Sequence, residues 1–143
     1  MPTLNGFFLP ANGANAELPA TRFDLYAFDP LTRVTSSVPI GRNVVALFDT
    51  AAGSTVINSK RIDTRGMAPT GSVAFSGASA GGTAPLYWVQ LRFSNPALRV
   101  NIRTTAIDMP DGSPYEALLG MDFIRNGRLT IDVRRGIVKL DGW

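Results

Sequence analysis

Apolar and polar residues alternate with period two through most of this chain, a pattern that half-buried strands satisfy and helices do not. In RFDLYAF, Phe23, Leu25 and Ala27 share one face. In PLYWVQLRF, Tyr87, Val89, Leu91 and Phe93 oppose Trp88, Gln90 and Arg92. In LRVNIRTTA, Leu98, Val100, Ile102 and Thr104 oppose Arg99, Asn101, Arg103 and Thr105. RLTIDVRRGIVKL reads as a hairpin, with Leu129, Ile131 and Val133 inward, Thr130, Asp132 and Arg134 outward, and a turn at Arg135-Gly136 leading into Ile137 to Leu140. Helix is expected only as a single turn over Asn58 to Asp63 and as a short helix within GMDFIRNG, Gly120 to Gly127. The fold class is therefore all-β. A length of 143 residues suits one core, and residues 1–20, which contain PANGANAELP, are expected to form a flexible lead-in or an edge segment.

One stretch breaks the alternation. In VVALFDTAAGSTVI, Val44 to Ile57, an unbroken apolar run ends at Asp49 and is followed by Thr50, Ala51, Ala52 and Gly53. Charged side chains are seldom buried without a partner or a purpose. The run is a strand that delivers a carboxylate to its own end, and the small residues after it leave room for something to approach that carboxylate. Taken alone the match is weak, because an aspartate capping the amides of a turn leaves the same trace.

Composition narrows the chemistry. The chain has no Cys and no His, which excludes disulfides, thiol nucleophiles, a Ser-His-Asp triad and the usual zinc sites. Its two lysines, Lys60 and Lys139, lie in segments that read as exposed. Carboxylates are thus the acid-base groups left for an enzyme, and no cofactor is called for. A net charge of +3 invites a nucleic-acid reading, but the arginines are spread from Arg22 to Arg135 rather than gathered in a stripe, so no nucleic-acid partner is expected. No apolar run is long enough to span a membrane, and the first residues lack the basic and apolar pattern of an export signal. The expectation is a soluble domain, cytoplasmic or part of a larger or processed protein.

A second signal gives Asp49 its context. In ALLGMDFIRNG, Ala117, Leu118 and Leu119 form a short buried strand, Gly120 lets another backbone come close, and Met121 begins a helical turn. Between this segment and Asp49 lies SGASAGG, Ser76 to Gly82, a run of small residues between two strands. The order resembles that of the retropepsin-like aspartic proteases, which carry an apolar-apolar-Asp-Thr/Ser-Gly-Ala motif, then a flap hairpin, then an apolar-apolar-Gly segment before a short helix. The resemblance runs from about Val38 to Leu140, and LLGMDF looks more like the bacterial and transposon members than the retroviral ones.

That resemblance implies a closed β-barrel or sandwich over residues 21–143, with a flap hairpin and one short C-terminal helix. It makes Asp49 the catalytic aspartate, with Thr50, Ala51, Ala52 and Gly53 as the active-site loop. Phe75, Ser76, Gly77, Ala78 and Ser79 would belong to the flap, and Leu47, Val56, Leu118, Leu119 and Gly120 to the substrate pocket. Gly77, Gly81 and Gly82 would give the flap its freedom to open. Asp122 is the main rival acid, but its place at the start of a helical turn favours an N-cap or loop-anchor role. Trp88 and Trp143 are expected to pack or to contact a partner subunit. The implied activity is aspartic endopeptidase action on a peptide or protein substrate bound extended. Peptide hydrolysis needs a base and an acid together, and one aspartate cannot be both, so a homodimer with the Asp49 pair on its axis is implied. The family usually has Gly where this chain has Ala51. The alternative is therefore a retropepsin-like fold that no longer cleaves and serves in dimerisation or peptide binding.

Overall fold

The computed structural model describes residues 2–10, 17–76, 81–94 and 96–142. The strands are β1 (Thr3–Asn5), β2 (Phe7–Pro10), β3 (Glu17–Asp29), β4 (Val34–Thr35), β5 (Gly41–Phe48), β6 (Val56–Asn58), β7 (Gly71–Ser76), β8 (Gly81–Ser94), β9 (Ala97–Ile107), β10 (Ala117–Leu119), β11 (Arg128–Asp132) and β12 (Ile137–Asp141). A 3-10 turn over Ser59–Arg61 and one helix, α1 (Met121–Ile124), occupy the two places where helix was expected. Thr3–Asn5 and Phe7–Pro10, within the expected lead-in, lie at sheet edges as β1 and β2, while 11–16 fall outside the described residues. Among the described residues no helix is long and apolar enough to cross a membrane.

Six strands close into a barrel in the order β3-β5-β10-β6-β9-β8, the circle completed by pairing of β3 with β8. Closure depends on the length of β3. Its first half pairs with β5 and its second half with β8, and a register shift between Phe23 and Leu25 turns the strand from one partner to the other. Opposite that shift Asn43 takes a left-handed φ of 50°, and its N–H donates to Asp24 Oδ1 at 2.8 Å. Asn tolerates this backbone conformation better than most residues.

The inward faces read from alternation fill the core. Phe23, Leu25, Tyr87, Val89, Leu91 and Phe93 are buried with Val44, Phe48, Ile57, Leu119 and Leu140. Each such apolar side chain contributes about 1.5–3 kcal/mol. Phe93 packs edge-on to Phe23 at 5.6 Å and tilted to Phe123 at 5.9 Å, so the aromatic centre of the barrel also seats α1. Thr104 and Thr105 are both buried, because β6 covers this end of β9.

The last hairpin departs from expectation. Ile131 and Val133 are 44% and 59% exposed, not inward. The reason is that β11 pairs only with β12 in a separate three-stranded sheet, β1-β12-β11, so little packs over its far end. The turn is also longer than read, since Asp132 pairs with Ile137 across Val133–Gly136, with Gly136 at φ 66°.

Candidate active site

β5 delivers Asp49 because β10 lies parallel beside it, with Ala117 opposite Ala46, Leu118 opposite Leu47 and Leu119 opposite Phe48. β10 pairs on its other side, antiparallel, with β6, so it separates two strands that are adjacent in sequence. The loop from Asp49 to Thr55 must therefore arch over the end of β10. There the Asp49 N–H donates to the Leu119 carbonyl at 3.0 Å. Asp49 Oδ1 accepts the Ala51 N–H at 3.0 Å, which fixes the carboxylate against its own loop. Asp49 is half-buried, and Thr50 and Ala51 are exposed. The Thr50 hydroxyl has no hydrogen-bond partner among the described residues. Ala51 is not among the residues with positive φ, so its methyl group brings no backbone strain.

Gly120 does what its type suggested. A Cβ there would stand 2.6 Å from the Ser54 carbonyl and 2.8 Å from the Ala52 oxygen, so only glycine lets β10 run this close beneath the loop. The start of α1 then ties the loop down. The Met121 N–H donates to the Ala52 carbonyl at 2.7 Å and the Asp122 N–H to the Gly53 carbonyl at 3.2 Å.

Asp122 is the loop anchor and not the cap, since Gly120 is the N-cap residue of α1. Its Oδ1 accepts the Thr55 hydroxyl at 2.8 Å and the Phe123 N–H at 2.9 Å, and its Oδ2 accepts the Thr55 N–H at 3.0 Å. Thr55, fully buried, is the hub, because its Oγ1 also accepts the Gly120 N–H at 3.3 Å and its carbonyl takes the Thr104 hydroxyl at 3.1 Å. The sequence reading singled out Asp122 but not this hub. The only available signal was a threonine at the start of an apolar strand, which is too common to act on.

Leu47, Leu118 and Val56 are direct cross-strand neighbours on three adjacent strands and all are half-buried, forming one apolar row that leads from Asp49. Leu119 faces the opposite way, into the core, and touches the loop through its carbonyl. β7 pairs with β8 from Gly71–Leu86 to Ser76–Gly81, so Phe75 and Ser76 lie on a hairpin arm. Of these two the backbone alone is described, and Gly77, Ala78 and Ser79 fall outside the described residues, as does Trp143. Trp88 packs edge-on to Phe28 at 6.3 Å within the chain.

A closed barrel with an aspartate at the end of a strand, on a loop pinned by a second strand and a short helix, defines a retropepsin-like fold. The structure of a retropepsin-like aspartic protease from Rickettsia conorii overlaps with a TM-score of 0.57, at 12% identity, over 97% of this chain and 89% of that one. EIAV protease complexed with the inhibitor HBY-793 overlaps more loosely, with a TM-score of 0.47 at 13% identity over 86% of this chain and 100% of that one. A search of curated proteins gave no match. A family model described as aspartyl protease matches residues 34–123, which include Asp49 and Gly120, and the chain belongs to that family.

Proposed function

We propose that this chain is an aspartic endopeptidase that works as a C2 homodimer, with Asp49 of each subunit meeting at the twofold axis. The observation that carries the reading is the seating of Asp49. A backbone amide holds one carboxylate oxygen, and a loop clamped from β10 and α1 holds the residue at the end of a buried strand. The exposed loop tip and the unpartnered Thr50 hydroxyl support a second loop abutting this one. Two carboxyls at contact distance share one proton, because repulsion opposes ionising both. The ionised one takes a proton from water as its oxygen attacks the scissile carbonyl carbon. The protonated one gives its proton to the carbonyl oxygen, and collapse of the resulting diol transfers a proton to the leaving amine. The apolar row of Leu47, Val56 and Leu118 favours apolar side chains next to the scissile bond, and the β7–β8 arm offers strand edges to an extended substrate.

A second reading rests on Ala51. If its methyl group crowds the substrate backbone, the dimer would bind peptides without cleaving them. Replacing Asp49 by Asn decides between the two. Asn still accepts the Ala51 N–H, so folding stability should stay within about 0.5 kcal/mol of the parent. Peptide cleavage should fall by about 10²–10⁴-fold. Cleavage at the parental rate by the Asn variant would end the assignment of catalysis to Asp49, and a parent that binds peptides without cleaving them would establish the second.

A further inference from the structure

Beside the loop that carries Asp49 lies a cavity of ≈ 360 Å³ whose wall runs from Ser54 of that loop to Val73 on the β7 arm. Its apolar floor is made of the half-buried Val73, Leu86, Trp88 and Ile102. Two arginines, Arg103 from β9 and Arg125 from the end of α1, also line it. Neither has an ion-pair or hydrogen-bond partner among the described residues. Other arginines of the chain are engaged: Arg61 with Glu116, Arg65 with Asp63, and Arg92 over the Tyr26 ring. Asp122 also lines the cavity, but three hydrogen-bond donors already hold its carboxylate. With two cations against one anion, the wall keeps an excess positive charge.

We infer that this cavity is a specificity pocket for an acidic side chain of the substrate, with Arg103 and Arg125 as the residues that read it. The inference rests on the endopeptidase reading and deepens it. A peptide lying extended between the Asp49 loop and the β7 arm passes Ser54 and brings a distal side chain over the cavity. Glutamate fits its chemistry, with the methylene stem on the apolar floor and the carboxylate between the guanidinium groups. Partial burial of the floor lowers the effective dielectric and strengthens the attraction relative to open water. Both arginines are exposed, so the preference is modest and weakens with salt.

The test uses the full chain and apolar-centred fluorogenic peptides blocked at both ends, in which Glu or Gln is moved position by position outward from the scissile bond. At one position Glu should raise kcat/KM over Gln by about three- to tenfold, through KM. Arg103→Gln and Arg125→Gln should each reduce that preference, and the double variant should erase it. Arg134→Gln, in the β11–β12 loop, should leave it intact. Equal cleavage of Glu and Gln peptides at every position would overturn the inference while leaving the protease standing. So would a preference that survives the double variant. If no peptide is cleaved, the endopeptidase reading fails, and binding of the same peptides by fluorescence polarisation still decides the pocket through the presence or absence of the same Glu preference. Peptides with a free C-terminal carboxylate form a further arm, and a preference seen only there would overturn the side-chain assignment. Salt-steep binding of a single-stranded oligonucleotide, abolished by the double variant, would do so as well.

Discussion

The carboxylate of Asp122 receives three hydrogen bonds, two of them from Thr55, and so joins the start of α1 to the loop that ends in β6. Cutting it to Ala leaves the buried Thr55 hydroxyl without that acceptor, and an unsatisfied buried polar group costs about 1–3 kcal/mol. We expect Asp122→Ala to lose stability by that amount in urea unfolding, and to lose cleavage as well because the Asp49 loop is no longer held. Gly120 faces a steric limit instead. Gly120→Ala places a methyl group 2.6 Å from the Ser54 carbonyl, so β10 or the loop must move. A loss of about 1–3 kcal/mol is expected, by the same unfolding measurement.

The three-stranded sheet has its own weak point in β1, a strand of three residues that among the described residues pairs only with β12. The Thr3 hydroxyl donates to Asp141 Oδ1 at 2.7 Å, and Lys139 Nζ lies 3.2 Å from Oδ2. The Thr3 hydrogen bond first, and Lys139 next, hold the Asp141 carboxyl below its usual value of 3.8. Its pKa is thus lower folded than unfolded, so its contribution is complete above about pH 4 and disappears as pH falls through the lower folded value. Amide exchange at Thr3–Asn5 should show β1 loosening on acidification through that range. Asp141→Ala should show the loosening already at neutral pH, with no further change in acid. Protection of β1 that is equal in parent and variant at every pH would contradict this account.

For the whole molecule, the proposed chemistry makes concentration a control of activity. Below the dimer dissociation constant, mass action should cut specific activity about tenfold for each tenfold dilution, in step with the loss of dimer in sedimentation. Constant specific activity in a chain shown to be monomeric would refute the two-subunit mechanism. The long-range arrangement also revises the picture of charge. Arginines scattered along the sequence converge on the outer face of β8 and β9, where Arg92 pairs with Arg99 across the strands and Arg103 stands opposite Trp88. Alternation puts Arg99 and Arg103 on one face of β9, and pairing register brings Arg92 beside Arg99.

The sequence by itself determined the strands and most of their inward faces, because period-two alternation is a local property and burial enforces it: Phe23 and Leu25, and Tyr87, Val89, Leu91 and Phe93, lie where their spacing put them, although Gln90, read as outward, is buried as well. Asp49 and Gly120 were legible for the same reason, each being a residue type its neighbours do not explain. Only the tertiary structure decided which strands lie side by side. The insertion of β10 between β5 and β6, the pairing of Thr55 with Asp122, and the exposure of Ile131 and Val133 all follow from contacts between distant segments. A residue's own sequence neighbourhood carries no energy term for such contacts until the barrel closes.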